Sequence, residues 1–153
     1  NTIQTSSNIE KAKDFFCEIG KRKTLWKSKI IRFKSNYWKG IKNKKYKENE
    51  GNWASISRFP LISSETIKFE VRYFEITKGG CSSLEYHSHA HVVICIKGKG
   101  KIRLGNKYRI LKYLDIAFIA PNEIHQLLNP FDDPFGFLCI VDAQRDKPIE
   151  IKN

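Results

Sequence analysis

The chain has 153 residues, of which 41% are hydrophobic, and a formal net charge of +12. This length suits one domain with a real core. No stretch approaches the ~20 apolar residues that a membrane-spanning helix needs, and residues 1–16 lack the apolar core of a secretory signal. We therefore expect a single soluble domain in the cytoplasm, with no membrane contact.

The first 52 residues predict an N-terminal helical arm. Ser7 and Asn8 can cap a helix over residues 9–19, because the apolar side chains of this segment fall on one helical face. A second helix is predicted over residues 25–38. Residues 42–52 are polar and are expected to form a loop.

From Trp53 onward the pattern changes to that of β-strands. Alternating runs rich in aromatic and β-branched residues are typical of strands. The predicted strands cover residues 53–62, 66–77, 91–97, 101–104, 108–113, 116–119 and 135–141. Turns are expected at residues 79–80, 98–100 and 105–106. This pattern predicts an all-β sandwich or barrel over residues 53–146, with a polar tail over residues 147–153.

The positive charge comes mainly from lysine, since only seven of the 28 basic residues are arginine. Basic residues are densest over residues 21–47, but no RNP, helix-turn-helix or zinc-finger pattern accompanies them. The positive charge is therefore explained by the overall abundance of lysine in the sequence, without a nucleic-acid-binding motif. We expect a small anionic substrate, such as a sugar phosphate, rather than nucleic acid.

The four cysteines are far apart in the sequence and form no CxxC pair. They are Cys17, Cys81, Cys95 and Cys139. This spacing argues against a zinc ribbon or a thioredoxin motif. Without an export signal, we expect the thiols to remain reduced.

All four histidines lie in two short segments. His87, His89 and His91 alternate, Glu85 precedes them by two residues, and His125 follows later. Imidazole and carboxylate groups are the usual ligands of divalent transition metals. Because residues two apart on a strand face the same way, Glu85 and His87 can point into one cavity. The cluster therefore predicts a metal site.

This spacing resembles the first motif of the cupin superfamily, whose members are small metal-binding β-barrels. That motif reads G-x5-H-x-H-x3-or-4-E-x6-G. Gly79 is followed at matching intervals by Glu85, His87, His91 and Gly98, with Glu and His exchanged at the two ends. The exchange preserves one carboxylate and two imidazoles. The resemblance implies a cupin-type jelly-roll β-barrel.

The second cupin motif, G-x5-P-x-G-x2-H-x3-N, falls on residues 114–129. His125 and Asn129 match the motif. Leu114, Ala120 and Asn122 replace its Gly, Pro and Gly. Asn122 can still adopt the left-handed turn conformation that glycine would supply.

Carried over position by position, the resemblance implies that Glu85, His87, His91 and His125 bind a divalent Mn, Fe, Ni or Zn ion. His89 would then be a supporting group behind the ligands or a catalytic base. An alternative registration uses His87, His89 and His125 directly. It leaves no acid at the third position of the motif.

The resemblance extends to a branch of small cupins that includes methylthioxylulose-phosphate methylsulfurylases. It is carried by the RYFE strand, the histidine segment and the FLC-x-VD end, and it covers residues 53–146. It implies that the thiolate of Cys139 attacks the methylthio sulfur of a keto sugar phosphate, while the metal polarises the carbonyl group. An external thiol such as glutathione then resolves the methyl disulfide. Cys95 is the second candidate nucleophile, because it shares a strand face with His91.

Two arginines in predicted strands, Arg58 and Arg72, are candidates for holding the phosphate through paired hydrogen bonds. Two rival functions remain on the same scaffold: an Fe(II) dioxygenase and a non-catalytic metal- or ligand-binding module. We also expect a homodimer, formed through an exposed edge strand near residues 55–59.

Overall fold

The computed structural model describes residues 28–45, 54–64 and 67–151. The described residues from Ile31 onward belong to one compact unit. Its strands are β1 (Phe33–Lys34), β2 (Tyr37–Trp38), β3 (Lys44–Lys45), β4 (Ala54–Ile62), β5 (Phe69–Cys81), β6 (Glu85–Tyr86), β7 (His91–Lys97), β8 (Gly100–Leu104), β9 (Lys107–Leu111), β10 (Ile116–Ile119), β11 (His125–Leu128), β12 (Phe135–Asp142) and β13 (Ile149–Glu150). In the described ranges, no helix has the length and apolar character needed to cross a membrane.

Strands β3 to β13 form one nearly closed antiparallel sheet with two halves. The order in the first half is β10-β7-β12-β5-β4-β3, and in the second half β9-β8-β11-β6-β13. The halves are joined where the end of β5 pairs Cys81 with Leu128 of β11. This arrangement confirms the predicted all-β barrel of the jelly-roll type.

Alternation along the strands fills the interior of the barrel. In β7, His91, Val93 and Cys95 are buried, while the residues between them are partly exposed. In β12, Phe137 and Cys139 are buried in the same way. The apolar members of this set pack into one hydrophobic core. His91 and Cys95 therefore share the inner face of β7, as their sequence parity predicts, and Cys139 of β12 lies in the same interior.

The predicted hairpin at residues 98–100 is wrong. Strand β7 pairs with β10 and β12, whereas β8 pairs with β9 and β11, so this segment carries the chain from one half of the sheet to the other. The turn predicted at residues 79–80 is also absent, since β5 continues through both glycines. Gly79 has a φ of 76°, which glycine adopts without strain. The hairpin at Gly105 is confirmed by the β8–β9 pairing.

The helix predicted over residues 9–19 lies outside the described residues. The second predicted helix is wrong where the structure describes it, because β1 and β2 form a hairpin there. Ser35 and Asn36 form its turn with φ values of 54° and 66°. Positive φ values at two successive residues are incompatible with a right-handed helix.

The edge strand expected near residues 55–59 is partly covered. Lys44 and Lys45 of β3 pair with Arg58 and Ser57 of β4. At the other end of the chain, the predicted polar tail contains β13, which pairs with β6. The residues just before β13, Asp146 to Pro148, line the same cavity as the histidines.

Candidate metal centre

Three buried histidines converge at the mouth of the barrel. His91 begins β7, His125 begins β11, and His87 lies between β6 and β7. One ligand nitrogen from each lies within 4.8 Å of the others. The histidine triad, as we call His87, His91 and His125, could hold a metal ion.

The outward nitrogen of each triad imidazole already has a partner. His87 Nδ1 lies 2.7 Å from the carbonyl oxygen of His89. His125 Nδ1 lies 2.8 Å from the carbonyl oxygen of Glu123. Each carbonyl can only accept, so both rings carry the proton on Nδ1 and present Nε2 as a lone pair. Metal-binding histidines are commonly oriented in this way.

His91 gives the most direct evidence that the histidine triad suits a metal ion. Its Nδ1 lies 3.4 Å from Cys139 Sγ, and its buried Nε2 has no hydrogen-bond partner within the described part of the chain. A buried polar atom without a partner costs free energy unless a ligand or water satisfies it. The orphaned nitrogen in a cluster of imidazoles therefore fits a metal ion.

Burial lowers the pKa of each triad histidine. For His91 and His125, loss of solvation is the largest cause, and neighbouring imidazoles add to it. For His87, burial and then the charge of His89 have the same effect. The rings are therefore neutral near pH 7, which is the form that binds metals.

Glu85 lies beside the triad in β6. Its backbone pairs in register with His125, and its Oε1 lies 3.9 Å from His125 Nε2. The hydroxyl of Ser83 donates a short hydrogen bond to the other carboxylate oxygen. This bond fixes the orientation of the carboxylate and leaves Oε1 facing the imidazoles.

His89 lies outside the triad. Its ring stacks on that of His87, with centroids 3.6 Å apart, and its Nδ1 lies 2.6 Å from Asp146 Oδ1. The Ser88 backbone amide also donates to Asp146, at 2.8 Å. The hydrogen bond from His89, followed by that from Ser88, lowers the pKa of Asp146. Asp146 therefore remains a carboxylate that holds the imidazole of His89 in place.

The triad opens into a cavity of about 370 Å³. The lining includes His89, Arg72, Cys139 and Phe137 in addition to the triad. Arg72 Nη2 donates a hydrogen bond to Cys139 Sγ at 3.1 Å. Phe74, from the apolar part of β5, lies under the Arg72 guanidinium at 5.4 Å from its ring centroid.

The other described cysteines do not line this cavity. Cys95 is buried in the core, and its thiol faces the carbonyl oxygens of Lys97 and Gly98. Burial raises the pKa of Cys95, although a backbone hydrogen bond opposes that effect. Cys81 is partly exposed. Only Cys139 among the described cysteines therefore combines burial with access to the cavity.

Further charged groups come from the segment between β12 and β13, which the sequence pattern did not single out. Arg145 donates to Glu70 at 2.8 Å. Burial acts to raise the pKa of Glu70, but hydrogen bonds from Ser63 and the charge of Arg145 lower it overall. Asp146 and Lys147 also line the cavity. These residues show no periodicity, so their charges were the only signal in the sequence.

The profile of the cupin domain matches residues 72–141. A 1-methylthio-D-xylulose 5-phosphate methylsulfurylase from Rhodospirillum rubrum is 41% identical over 119 residues, which cover 76% of each chain. The chain belongs to the cupin family.

Solved cupin structures support the same assignment. A cupin-2 domain protein from Rhodospirillum rubrum has a TM-score of 0.72 and 35% identity, covering 83% of this cupin and 84% of that chain. A cupin 2 conserved barrel domain protein from Rhodopseudomonas palustris has a TM-score of 0.75 and 33% identity, covering 82% and 87%. The barrel fold is thus shared with these proteins.

Proposed function

We propose that this cupin is a metal-dependent methylsulfurylase that transfers the methylthio group of 1-methylthio-D-xylulose 5-phosphate to a thiol. The observation that carries this proposal is the position of Cys139. Its sulfur lies 3.1 Å from the Arg72 guanidinium and 3.4 Å from the imidazole of His91, in the wall of the cavity. Cys139 also packs in the hydrophobic core, but a cysteine that only fills a core would not have a guanidinium and an imidazole beside its sulfur. The R. rubrum relative supplies the substrate and the reaction.

We assign the metal ligands to Glu85, His87, His91 and His125. The orphaned Nε2 of His91 and the fixed Nδ1 hydrogen bonds of His87 and His125 support this assignment. Mixed imidazole and carboxylate donors suit Mn(II), Fe(II), Ni(II) or Zn(II). When bound, such an ion supplies Lewis acidity toward a substrate oxygen.

The nucleophile is Cys139. Its thiolate attacks the methylthio sulfur, so that an S–S bond forms while the bond between that sulfur and C1 breaks. The electron pair of the broken bond passes to C1 and is delocalised into the C2 carbonyl group. C1 then takes up a proton, which gives 1-deoxyxylulose 5-phosphate. An external thiol attacks the methyl disulfide on Cys139, removes the methylthio group as a mixed disulfide and regenerates the cysteine.

Arg72 assists the attack of the Cys139 sulfur, and His89 assists the protonation of C1. The guanidinium of Arg72 compensates negative charge on the attacking sulfur through a charge-assisted hydrogen bond. His89 lines the cavity and is oriented by Asp146, as a histidine that moves a proton needs to be. We therefore assign proton delivery to C1 to His89.

Positive side chains in the lining support an anionic substrate. Arg58 and Lys147 line the same cavity as Cys139, and so does Arg145, which donates to Glu70. Arginine binds phosphate with paired hydrogen bonds. We assign the substrate phosphate to Arg58, with Lys147 adding positive charge at the mouth.

The test is turnover by the purified protein loaded with Mn(II), Fe(II), Ni(II) or Zn(II). We expect 1-deoxyxylulose 5-phosphate and a methyl glutathionyl disulfide from 1-methylthio-D-xylulose 5-phosphate and glutathione. Without glutathione, mass spectrometry should find a methylthio adduct on Cys139. Cys139→Ala should abolish both products, whereas Cys81→Ala should retain them. If no product forms with any of the four metals, the proposal is rejected. Oxygen consumption that occurs with Fe(II) alone favours the dioxygenase alternative.

A further inference from the structure

A short connecting segment, residues 143–148, joins the two halves of the sheet beside the cavity. It leaves β12 of the first half-sheet and enters β13, which pairs with β6 of the second half-sheet. Backbone hydrogen bonds fix both ends. The amide of Ala143 donates to the Lys68 carbonyl oxygen at 3.0 Å, and that of Ile151 donates to the Leu84 carbonyl oxygen at 2.8 Å. The residues between these ends have no regular secondary structure, so the contacts of their side chains matter for the path of the segment.

Two neighbouring residues of the connecting segment pair with different parts of the cavity wall. Arg145 Nη2 donates to Glu70 Oε2 on β5 at 2.8 Å. Asp146 Oδ1 lies 2.6 Å from His89 Nδ1, and Asp146 Oδ2 accepts a hydrogen bond from the Ser88 backbone amide at 2.8 Å. Because consecutive Cα atoms are only about 3.8 Å apart, a change at one of these contacts displaces the other.

Several acceptors hold the guanidinium of Arg145. Its Nη1 donates to the carbonyl oxygen of Asp142 at 2.7 Å and lies 3.4 Å from that of Ala143. Glu70 is held as well, since its Oε1 accepts a hydrogen bond from the Ser63 hydroxyl at 3.0 Å. The side chains of Arg145 and Glu70 are only 21% and 16% exposed. Such a partly buried, hydrogen-bonded pair keeps its geometry better than an exposed ion pair.

The contact between Asp146 and His89 needs this support. The side chain of Asp146 is 36% exposed, whereas that of His89 is 8% exposed. Water competes for an exposed carboxylate, and the entropy of its side chain and backbone opposes a fixed contact. The contact is therefore stronger when the backbone of Asp146 is already held in place. Arg145, the residue directly before it, is the anchor.

We propose that Arg145 and Glu70 form a positioning pair for His89. The pair fixes the backbone beside Asp146, and Asp146 in turn orients the imidazole of His89 at the cavity wall. Neither Arg145 nor Glu70 takes part in the chemical step, so their effect on turnover passes through Asp146. The kinetic consequence rests on the proposed function, in which His89 delivers the proton to C1, whereas the positioning itself needs no substrate.

The kinetic test is a double-mutant cycle on the metal-loaded full chain, with 1-methylthio-D-xylulose 5-phosphate and glutathione. We expect Arg145→Met to lower kcat by about tenfold in the unmodified background but by less than ~twofold in Asp146→Ala, because residues that act through one another are not additive. Arg145→Lys, which keeps a charge that can pair with Glu70, should recover most of the loss. Equal losses of kcat in both backgrounds overturn the proposal. A raised KM in both backgrounds with unchanged kcat also overturns it, since Arg145 would then bind the phosphate.

The structural test needs no turnover. The Ser88 amide donates to Asp146, so its hydrogen-exchange rate reports on this contact and can be followed by NMR with Zn(II), which is diamagnetic. We expect exchange to be about tenfold faster in Arg145→Met. The matched control is Lys78→Met, which removes an exposed ion pair with Asp132 and should leave the rate unchanged.

Glu70→Gln weakens the pair from its other side and should also speed exchange at Ser88, which keeps the test valid if Arg145→Met does not fold. An unchanged Ser88 rate in the folded variants overturns the positioning role, whether or not the chain turns over substrate. A faster rate in a chain that shows no turnover supports the positioning role and rejects the proposed reaction instead.

Discussion

The imidazole rings of His87 and His89 lie face to face, with centroids 3.6 Å apart and planes inclined by 3°. A metal ion is bound by a lone pair that lies in the plane of the ring. Two parallel, stacked rings keep these lone pairs in parallel planes that do not meet, so they cannot converge on one ion. By contrast, the ring of His87 is inclined by 71° to that of His91 and by 74° to that of His125. The ring geometry favours the registration that leaves His89 outside the ligand set.

This geometry predicts that His89→Ala retains the metal, whereas His91→Ala loses it. The His89 carbonyl, which accepts the hydrogen bond from His87 Nδ1, belongs to the backbone and survives the substitution. Turnover by His89→Ala should fall by ~10²–10⁴-fold if His89 delivers the proton. Elemental analysis of protein purified without added metal measures the first effect. Loss of metal from His89→Ala alone would support the alternative registration.

For Glu85, we predict that Glu85→Gln weakens metal binding by at least ~10–100-fold, because the amide removes a negative charge beside His125. Ser83→Ala should have a smaller effect in the same direction, since Ser83 only orients the carboxylate. The control is Glu75→Gln, because Glu75 pairs with Lys97 and does not line the cavity. Competition with a chelating dye gives the affinities. Equal affinities for Glu85→Gln and the control would remove Glu85 from the ligand set.

The contact between Arg72 and Cys139 predicts a selective effect on thiol reactivity. Arg72→Ala removes the hydrogen bond to Sγ, so alkylation of Cys139 at fixed pH should slow by about tenfold. Arg58→Ala should leave alkylation unchanged and instead raise the KM for a phosphorylated substrate. Peptide mapping after timed exposure to iodoacetamide follows Cys139 directly. An unchanged alkylation rate in Arg72→Ala would mean that the guanidinium does not support the sulfur.

The metal-free protein should lose stability as the pH falls below about 6.5. The pKa values of His87, His91 and His125 are lowered by burial, so the unfolded chain binds more protons than the folded chain in this range. The free energy of unfolding then decreases by up to about 1.4 kcal/mol per pH unit for each histidine, and it levels off above pH 6.5. Urea unfolding at pH 5.0 to 7.5 measures the slope. His125→Asn should reduce the slope, and an unchanged slope would contradict this origin.

The sequence was most informative where both faces of a strand are apolar. The bounds of β7 and β10 were predicted correctly. The β-branched run of β7 ends at Gly98, and the apolar run of β10 begins directly after Asp115, so both strand ends are marked in the sequence. The same alternation placed Cys95 on one face with His91, whereas Cys139 joins them only through the pairing of β12 with β7. The pairing of the strands could not be predicted in the same way. A Gly-rich connection such as residues 98–100 has the same composition whether it closes a hairpin or crosses between half-sheets.

The remaining features depend on contacts that are distant in sequence. Asp146 reaches His89 across 57 positions, and β6 and β13 have two residues each, which is too short for any periodicity. The positive φ values at Ser35 and Asn36 likewise have no signature in an otherwise helix-like apolar pattern. These features are determined by tertiary packing, which local propensity does not report.

The crossing between the half-sheets provides a stability test. A Cβ atom at Gly100 would collide with the ring of Phe135, which is fully buried. We therefore expect Gly100→Ala to lower the free energy of unfolding by about 3 kcal/mol, as overpacking does. Gly79→Ala is the matched control. Gly79 has open space around its Cβ position and a φ of 76°, so only backbone strain of about 1 kcal/mol should apply. Equal losses in urea unfolding would mean that Phe135 can move, and that the core at this end of the barrel is loosely packed.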